Sequence, residues 1–340
     1  MGSGSEAASD NVIILQARGA AVLQRSFSVL LLLLASSTIA TEASGAETTI
    51  CGGIPEAIDT SVSGEPFANL ELSGRRGFFL IDTGGTDSLV DMQRYGRSVA
   101  TKVSLSGFSL PSVRDGIFTA ADLRSFSNPG GGELGVVGTD LLSRLSIEFH
   151  YEQSHPFAAF AEKACDEAIL QRADFVGVGL KGYYHAEWSQ LKPGMPNVPV
   201  IGLRIGQITF PAQVDTGLGD VPKGTVQVNA AVMRTLRAAG IKMHPVPNDV
   251  VTLTCSGRTN FERRQTEHQE LAVVTPGGKI VATYPPPLLE LKSDNGCGGI
   301  SRYAEPFAQI GASWLSRWGT SVFQGSGYGV SSTVWIASTR

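Results

Sequence analysis

The chain has no Cys-x-x-Cys pair, its five histidines are scattered, and nowhere do Lys and Arg gather into a basic patch. The first two absences argue against a zinc site, whose ligands must converge on one ion. The third, with a net charge of -4, argues against nucleic acid as a partner. Long apolar runs are missing too. The clearest is Phe27 to Leu34, centred on five consecutive leucines, and it falls short of the roughly 20 residues that a helical membrane span needs. Arg18 and Arg25 precede it and small residues follow as far as Ser44-Gly45-Ala46. Residues 1–46 therefore read as an export leader, with Ala40 and Ala46 both acceptable cleavage points. The expectation is a secreted or periplasmic protein with no stable membrane span once the leader is removed.

Long amphipathic helices are few. The exception is Asn229 to Gly240, which places Val232, Leu236 and Ala239 on one side. Instead, 40 Gly and 17 Pro punctuate short β-like runs, the pattern of an all-β protein with many turns. About 290 to 300 residues follow the leader, enough for two lobes with a sizeable core.

Against that background one triplet occurs twice, as Asp82-Thr83-Gly84 and Asp215-Thr216-Gly217. Average residue usage gives on the order of 0.1 such triplets in a chain of this length. The surroundings repeat as well. Asn69 to Ser73 and Gly202 to Gly206 carry the alternation of a half-buried strand, through Leu70 and Leu72 in one copy and Leu203 and Ile205 in the other. A turn follows at Gly74 to Gly77 or Gly206-Gln207, then an apolar run, Phe78 to Ile81 or Phe210 to Val214, that ends on the aspartate. Further on, Leu-Ser-Arg falls at the same offset from Gly138 and from Gly311. Thr139 or Asp140, and Ser313, are the expected N-caps of a short helix there. Ile147, Phe149 and Tyr151 then alternate as a returning strand.

Over most of residues 66–152 and 199–323 this frame resembles the retropepsin and pepsin clan of aspartic proteases. In that clan each lobe supplies one Asp-Thr-Gly loop, and an apolar-apolar-Gly strand packs beside it. The resemblance implies two pseudo-symmetric, β-barrel-like lobes with a cleft between them. The lobes would be residues 47–170 and 199–340, joined by 171–198. It implies an aspartic endopeptidase with Asp82 and Asp215 as the catalytic pair, a peptide or protein as substrate, no metal or other cofactor, and activity as a monomer, since one chain holds both copies. Thr83 and Thr216 would bond across the lobe interface, while Gly84 and Gly217 let the backbone come close enough to lay both carboxyls near one plane. The alternative class is a non-catalytic peptide-binding or envelope structural relative.

The chain departs from the clan at three places. Gly85 and Leu218 stand where Ser, Thr or Ala usually follows the triplet, and Gln309 replaces an apolar residue before Gly311. Asp87 and Asp220 extend each motif to Asp-Thr-Gly-x-x-Asp. With Gly85 and Leu218 they are the candidate substrate contacts, against a plain reading as turn carboxylates or helix caps. Val103 to Ser112 and Val251 to Arg264 are candidate hairpins over the cleft. The four cysteines, Cys51, Cys165, Cys255 and Cys297, suggest two disulfides. Of the three possible pairings, Cys51 with Cys165 and Cys255 with Cys297 keep each bond within one lobe.

Overall fold

The computed structural model describes residues 48–338 apart from 62, 73, 96–102, 106–107, 110–117, 122, 124–132, 220–221, 248–251, 255–256, 260 and 294–298. All of the described residues belong to one unit, Glu47–Arg340. It is mostly β, built on a 13-stranded and a nine-stranded mixed sheet with one separate two-stranded hairpin.

Each triplet sits at the end of the second strand of a hairpin. Pro66–Leu72 pairs antiparallel with Arg75–Ile81, and Val200–Ile205 with Ile208–Val214. The turns are tight because Gly74 and Gly206 take φ of +77° and +58°, values that cost glycine nothing. The alternation of Leu70 with Leu72 and of Leu203 with Ile205 has its expected cause, since all four side chains are buried.

The chain then leaves, and a later strand returns to insert itself beside the hairpin. Glu133–Val137 lies parallel to Arg75–Ile81 and antiparallel to Leu89–Asp91. Ala308–Ile310 lies in the same way between Ile208–Val214 and Val226–Val228. A further parallel neighbour completes each set, Thr119–Ala121 beside Leu89–Asp91 and Leu288–Leu291 beside Val226–Val228. The two halves thus share strand order and direction over five strands.

Neither large sheet closes among the described residues, so the barrel-like form expected from the sequence is replaced by open sheets. The chain uses six further strands to join the halves. Six strands run in the order Phe175–Gly177, Val334–Ala337, Thr320–Gln324, Ser146–His150, Phe157–Ala161 and Ile54–Thr60. At their centre the strand after one Leu-Ser-Arg block pairs with the strand after the other, with Val322 opposite Glu148. Every residue of Ser146–His150 is buried, which replaces the simple alternation expected there. Glu148 is accommodated because its carboxylate accepts the Ile50 and Cys51 N–H groups at 2.8 and 2.7 Å. One apolar core runs through both halves, from Ile58 and Leu70 to Phe323 and Ile336.

The expected helix spans Ala230–Ala238. The Asn229 side chain caps it by accepting the Val232 N–H, Val232 and Leu236 are buried, and Ala239 is exposed at its end. Both candidate hairpin segments contain paired strands, Val103–Leu105 with Phe108–Ser109 and Thr252–Thr254 with Gly257–Thr259.

Cys51 and Cys165 form a disulfide across 114 residues of sequence; Cys255 and Cys297 lie outside the described residues. Closing so long a loop removes much of the freedom of the unfolded chain. Replacing both Cys51 and Cys165 by Ser is expected to cost about 2–5 kcal/mol, measured as a fall in the urea midpoint with a steeper slope, because the released unfolded chain expands.

Candidate active site

Where each hairpin strand ends, its aspartate is held by the inserted strand. The Asp82 N–H donates to the Val137 carbonyl at 3.0 Å, and the Asp215 N–H to the Ile310 carbonyl at 2.9 Å. The loop beyond each triplet then docks onto the short helix of its own half. Thr139 N–H donates to Gly85 O at 2.9 Å, and Ala312 N–H to Leu218 O at 3.0 Å. These carbonyls replace the side-chain caps expected from Thr139, Asp140 and Ser313, for the helices Thr139–Leu142 and Ser313–Trp318 carry no side-chain cap bond. Helix N–H groups need some acceptor, and here the triplet loops supply it. The polar side chains are used elsewhere. Asp140 accepts from the Ser88 hydroxyl at 2.6 Å, and Ser313 Oγ accepts the Gly224 N–H at 2.9 Å.

The two loops are tied to each other by their threonines. Thr83 N–H donates to Thr216 Oγ1 at 2.9 Å and Thr216 N–H to Thr83 Oγ1 at 3.2 Å. Each hydroxyl donates in turn to the opposite strand, Thr83 to the Val214 carbonyl at 2.7 Å and Thr216 to the Ile81 carbonyl. Both threonines are fully buried. Thr83→Val or Thr216→Val leaves a buried N–H and a buried carbonyl without partners, so each is expected to cost about 1–3 kcal/mol. Because the bonds form one network, the double variant should lose less than the sum. A double-mutant cycle from urea unfolding reads that coupling directly.

This cross-tie sets the carboxyls face to face. A Cβ at Gly84 would lie 2.0 Å from Asp215 Cγ, and one at Gly217 would lie 2.5 Å from Asp82 Cγ. Each triplet's glycine is therefore the floor against which the other triplet's carboxyl rests. Asp82 Oδ1 accepts the Gly84 and Gly85 N–H groups at 2.8 and 2.9 Å, and Asp215 Oδ1 accepts the Gly217 N–H at 2.9 Å. The carboxyls are within hydrogen-bonding reach of each other. Burial raises both above the ordinary value of 3.8, and the charge of Asp82 pushes Asp215 further up. Both residues keep partial solvent exposure, so water can reach them. Two carboxyls this close hold one proton between them over a range of pH, which provides an acid and a base side by side.

The remaining candidates divide. A Cβ at Gly85 would lie 2.7 Å from Asp82 Oδ2, which gives a steric reason for glycine where the clan has a hydroxyl or methyl. Leu218 is partly exposed, its N–H bonded to the Asp215 carbonyl at 3.2 Å. Asp87 is exposed and accepts from its neighbour Thr86 at 3.3 Å. Asp220 lies outside the described residues.

Two residues at the site carry no role in the sequence reading. Gln309 Nε2 donates to Asp215 Oδ2, and Gln213 Nε2 approaches the same oxygen at 3.5 Å. Their signal in the sequence is a polar residue within an apolar strand, which at Gln309 reads as a weakened match until the strands are seen side by side. No protein-family model matches the chain, and a search of curated proteins finds no match.

Proposed function

We propose that this protein is an exported aspartic endopeptidase of the two-lobed, retropepsin-like and pepsin-like fold, with Asp82 and Asp215 as its dyad and both lobes drawn from one chain. The supporting observation is the pair of carboxyls set opposite each other by a reciprocal threonine cross-tie, each resting on the other triplet's glycine. A peptide or protein would be the substrate, no cofactor is needed for the chemistry, and a monomer suffices because one chain holds both aspartates.

In this reading a water lies between the carboxyls, one ionised and one protonated. The water oxygen bonds to the scissile carbonyl carbon while its proton passes to the carboxylate, and the protonated partner gives its proton to the carbonyl oxygen. The tetrahedral diol then collapses. The C–N bond breaks, the leaving nitrogen takes the proton that came from water, and a diol hydroxyl returns its proton to the other carboxylate. The dyad ends with one proton, as it began.

The test is cleavage of an unbiased peptide library by the purified protein, followed by mass spectrometry. Internal cleavage that survives chelators and serine and cysteine protease reagents supports the reading; an intact library over the acid to neutral range removes it.

Stability should also report the dyad. Folding raises both carboxyls, so the native state holds a proton that the unfolded chain releases above about 3.8. The stabilising contribution is fully present below that value and is lost as pH rises through the higher native values. Asp215→Asn removes this titration. Its melting temperature relative to wild type is therefore expected to rise from acid towards neutral pH, as read by calorimetry at several pH values.

A further inference from the structure

The two halves differ in one respect that bears on which aspartate keeps the proton. In the second half, strand register lines up Gln213, Gln309, Gln227, Glu290 and Arg263 as direct neighbours across five strands. All five are at least nine-tenths buried. The row is bonded at its far end, where Arg263 pairs with Glu290 at 2.6 Å and Gln227 Nε2 donates to Glu290 at 2.8 Å. At its near end Gln309 and Gln213 reach Asp215 Oδ2. The corresponding positions of the first half are Leu80, Val136, Leu89 and Thr119. None of them offers an amide N–H to Asp82.

Asp215 accepts N–H donors on both of its carboxyl oxygens. Asp82 Oδ1 takes two backbone groups, Asp215 Oδ1 takes one, and Asp215 Oδ2 takes the glutamine amides. A carboxyl oxygen whose lone pairs face N–H groups is a poor place for a proton, and donors on both oxygens favour the anion. Burial raises both members of the pair and the charge of Asp82 raises Asp215 further, whereas the glutamines oppose that rise on Asp215 alone.

Resting on the peptidase reading, we infer that Gln309, assisted by Gln213, is a positioning residue that orients the Asp215 carboxyl and stabilises its anion within the dyad. The polar residue that breaks the apolar strand thereby sets how readily Asp215 gives up the shared proton.

The test replaces each glutamine with its first-half counterpart, Gln309→Val and Gln213→Leu, in the full chain. Two readouts are taken: the pH profile of kcat/KM, and the carbon-13 titration of the dyad carboxyls, assigned with Asp82→Asn and Asp215→Asn. Gln309→Val should raise the Asp215 titration, and with it the limb of kcat/KM that Asp215 sets, by about one pH unit. Gln213→Leu, whose contact is longer, should move both less. An Asp215 titration that stays in place, or a shift confined to Asp82, overturns the inference. If the wild type cleaves nothing, the peptidase reading falls, while the carbon-13 titration still decides what the glutamines do to Asp215.

Discussion

Asp82→Asn and Asp215→Asn should each lower kcat/KM for peptide hydrolysis by roughly 10²- to 10⁴-fold, the usual worth of a positioned acid or base. Asparagine keeps the shape of the side chain and can still meet the Gly84, Gly85 and Gly217 N–H groups through its carbonyl oxygen. It cannot take or give the shared proton. The fold should survive both changes, because the threonine cross-tie and the bonds from Val137 and Ile310 involve backbone and hydroxyl groups alone. Losses of similar size in both variants are expected, since each removes one partner of a unit. The double variant should be little worse than either single one. Full activity in either variant, with the substitution verified by mass, would remove that aspartate from the chemistry.

Gly84→Ala and Gly217→Ala should lose activity nearly as severely, for a steric reason. A methyl group at Gly84 would meet Asp215 Cγ at 2.0 Å and its oxygens at 2.2 and 2.3 Å, and one at Gly217 would meet Asp82 Cγ at 2.5 Å. No such contact is tolerable, so the opposing carboxyl must swing away or the loops must part. Parting the loops strains the cross-tie, and overpacking of this kind costs about 1–3 kcal/mol. Displacing a reacting group by about 1 Å can cost about a hundredfold in rate. We therefore expect roughly a hundredfold lower kcat with a melting temperature lowered by several degrees in each variant. Gly277→Ala is the control, since its nearest contact would be Thr275 Oγ1 at 3.8 Å. Unaltered kinetics in Gly84→Ala would mean that the carboxyls do not rest on the glycines in solution.

Much of the site's frame was legible in the sequence because its signals are local. Alternation through Leu70 and Leu72 and through Leu203 and Ile205 marks the hairpins, and Asn229 followed by Val232 and Leu236 marks the capped helix. The matched triplets mark the residues that the structure sets opposite each other. Pairings between distant segments were out of reach. Nothing local in Ile54–Thr60 or Val334–Ala337 announces a six-stranded sheet joining the halves. The short helices looked capped by Thr139, Asp140 and Ser313, because the competing acceptors, Gly85 O and Leu218 O, are supplied from far along the chain. Gln309 looked like a flaw in an apolar strand, and Gln213 passed unnoticed within the run Phe210 to Val214, for the same reason. Their partner Asp215 faces both only once Ala308–Ile310 has inserted beside Ile208–Val214. Asp87, singled out by its place in a repeated motif, is exposed, and its carboxylate accepts from the Thr86 hydroxyl.

The claim at the centre is that Asp82 and Asp215 activate a water that attacks the peptide bond directly. Cleavage of a peptide substrate in oxygen-18 water, with hydroxylamine present to trap any acyl-enzyme, tests it most directly. New carboxyl termini carrying one solvent oxygen, with no hydroxamate formed and no cleavage beyond background in Asp82→Asn, are the expected result. Hydroxamate products, or cleavage that persists undiminished in Asp82→Asn, would contradict it.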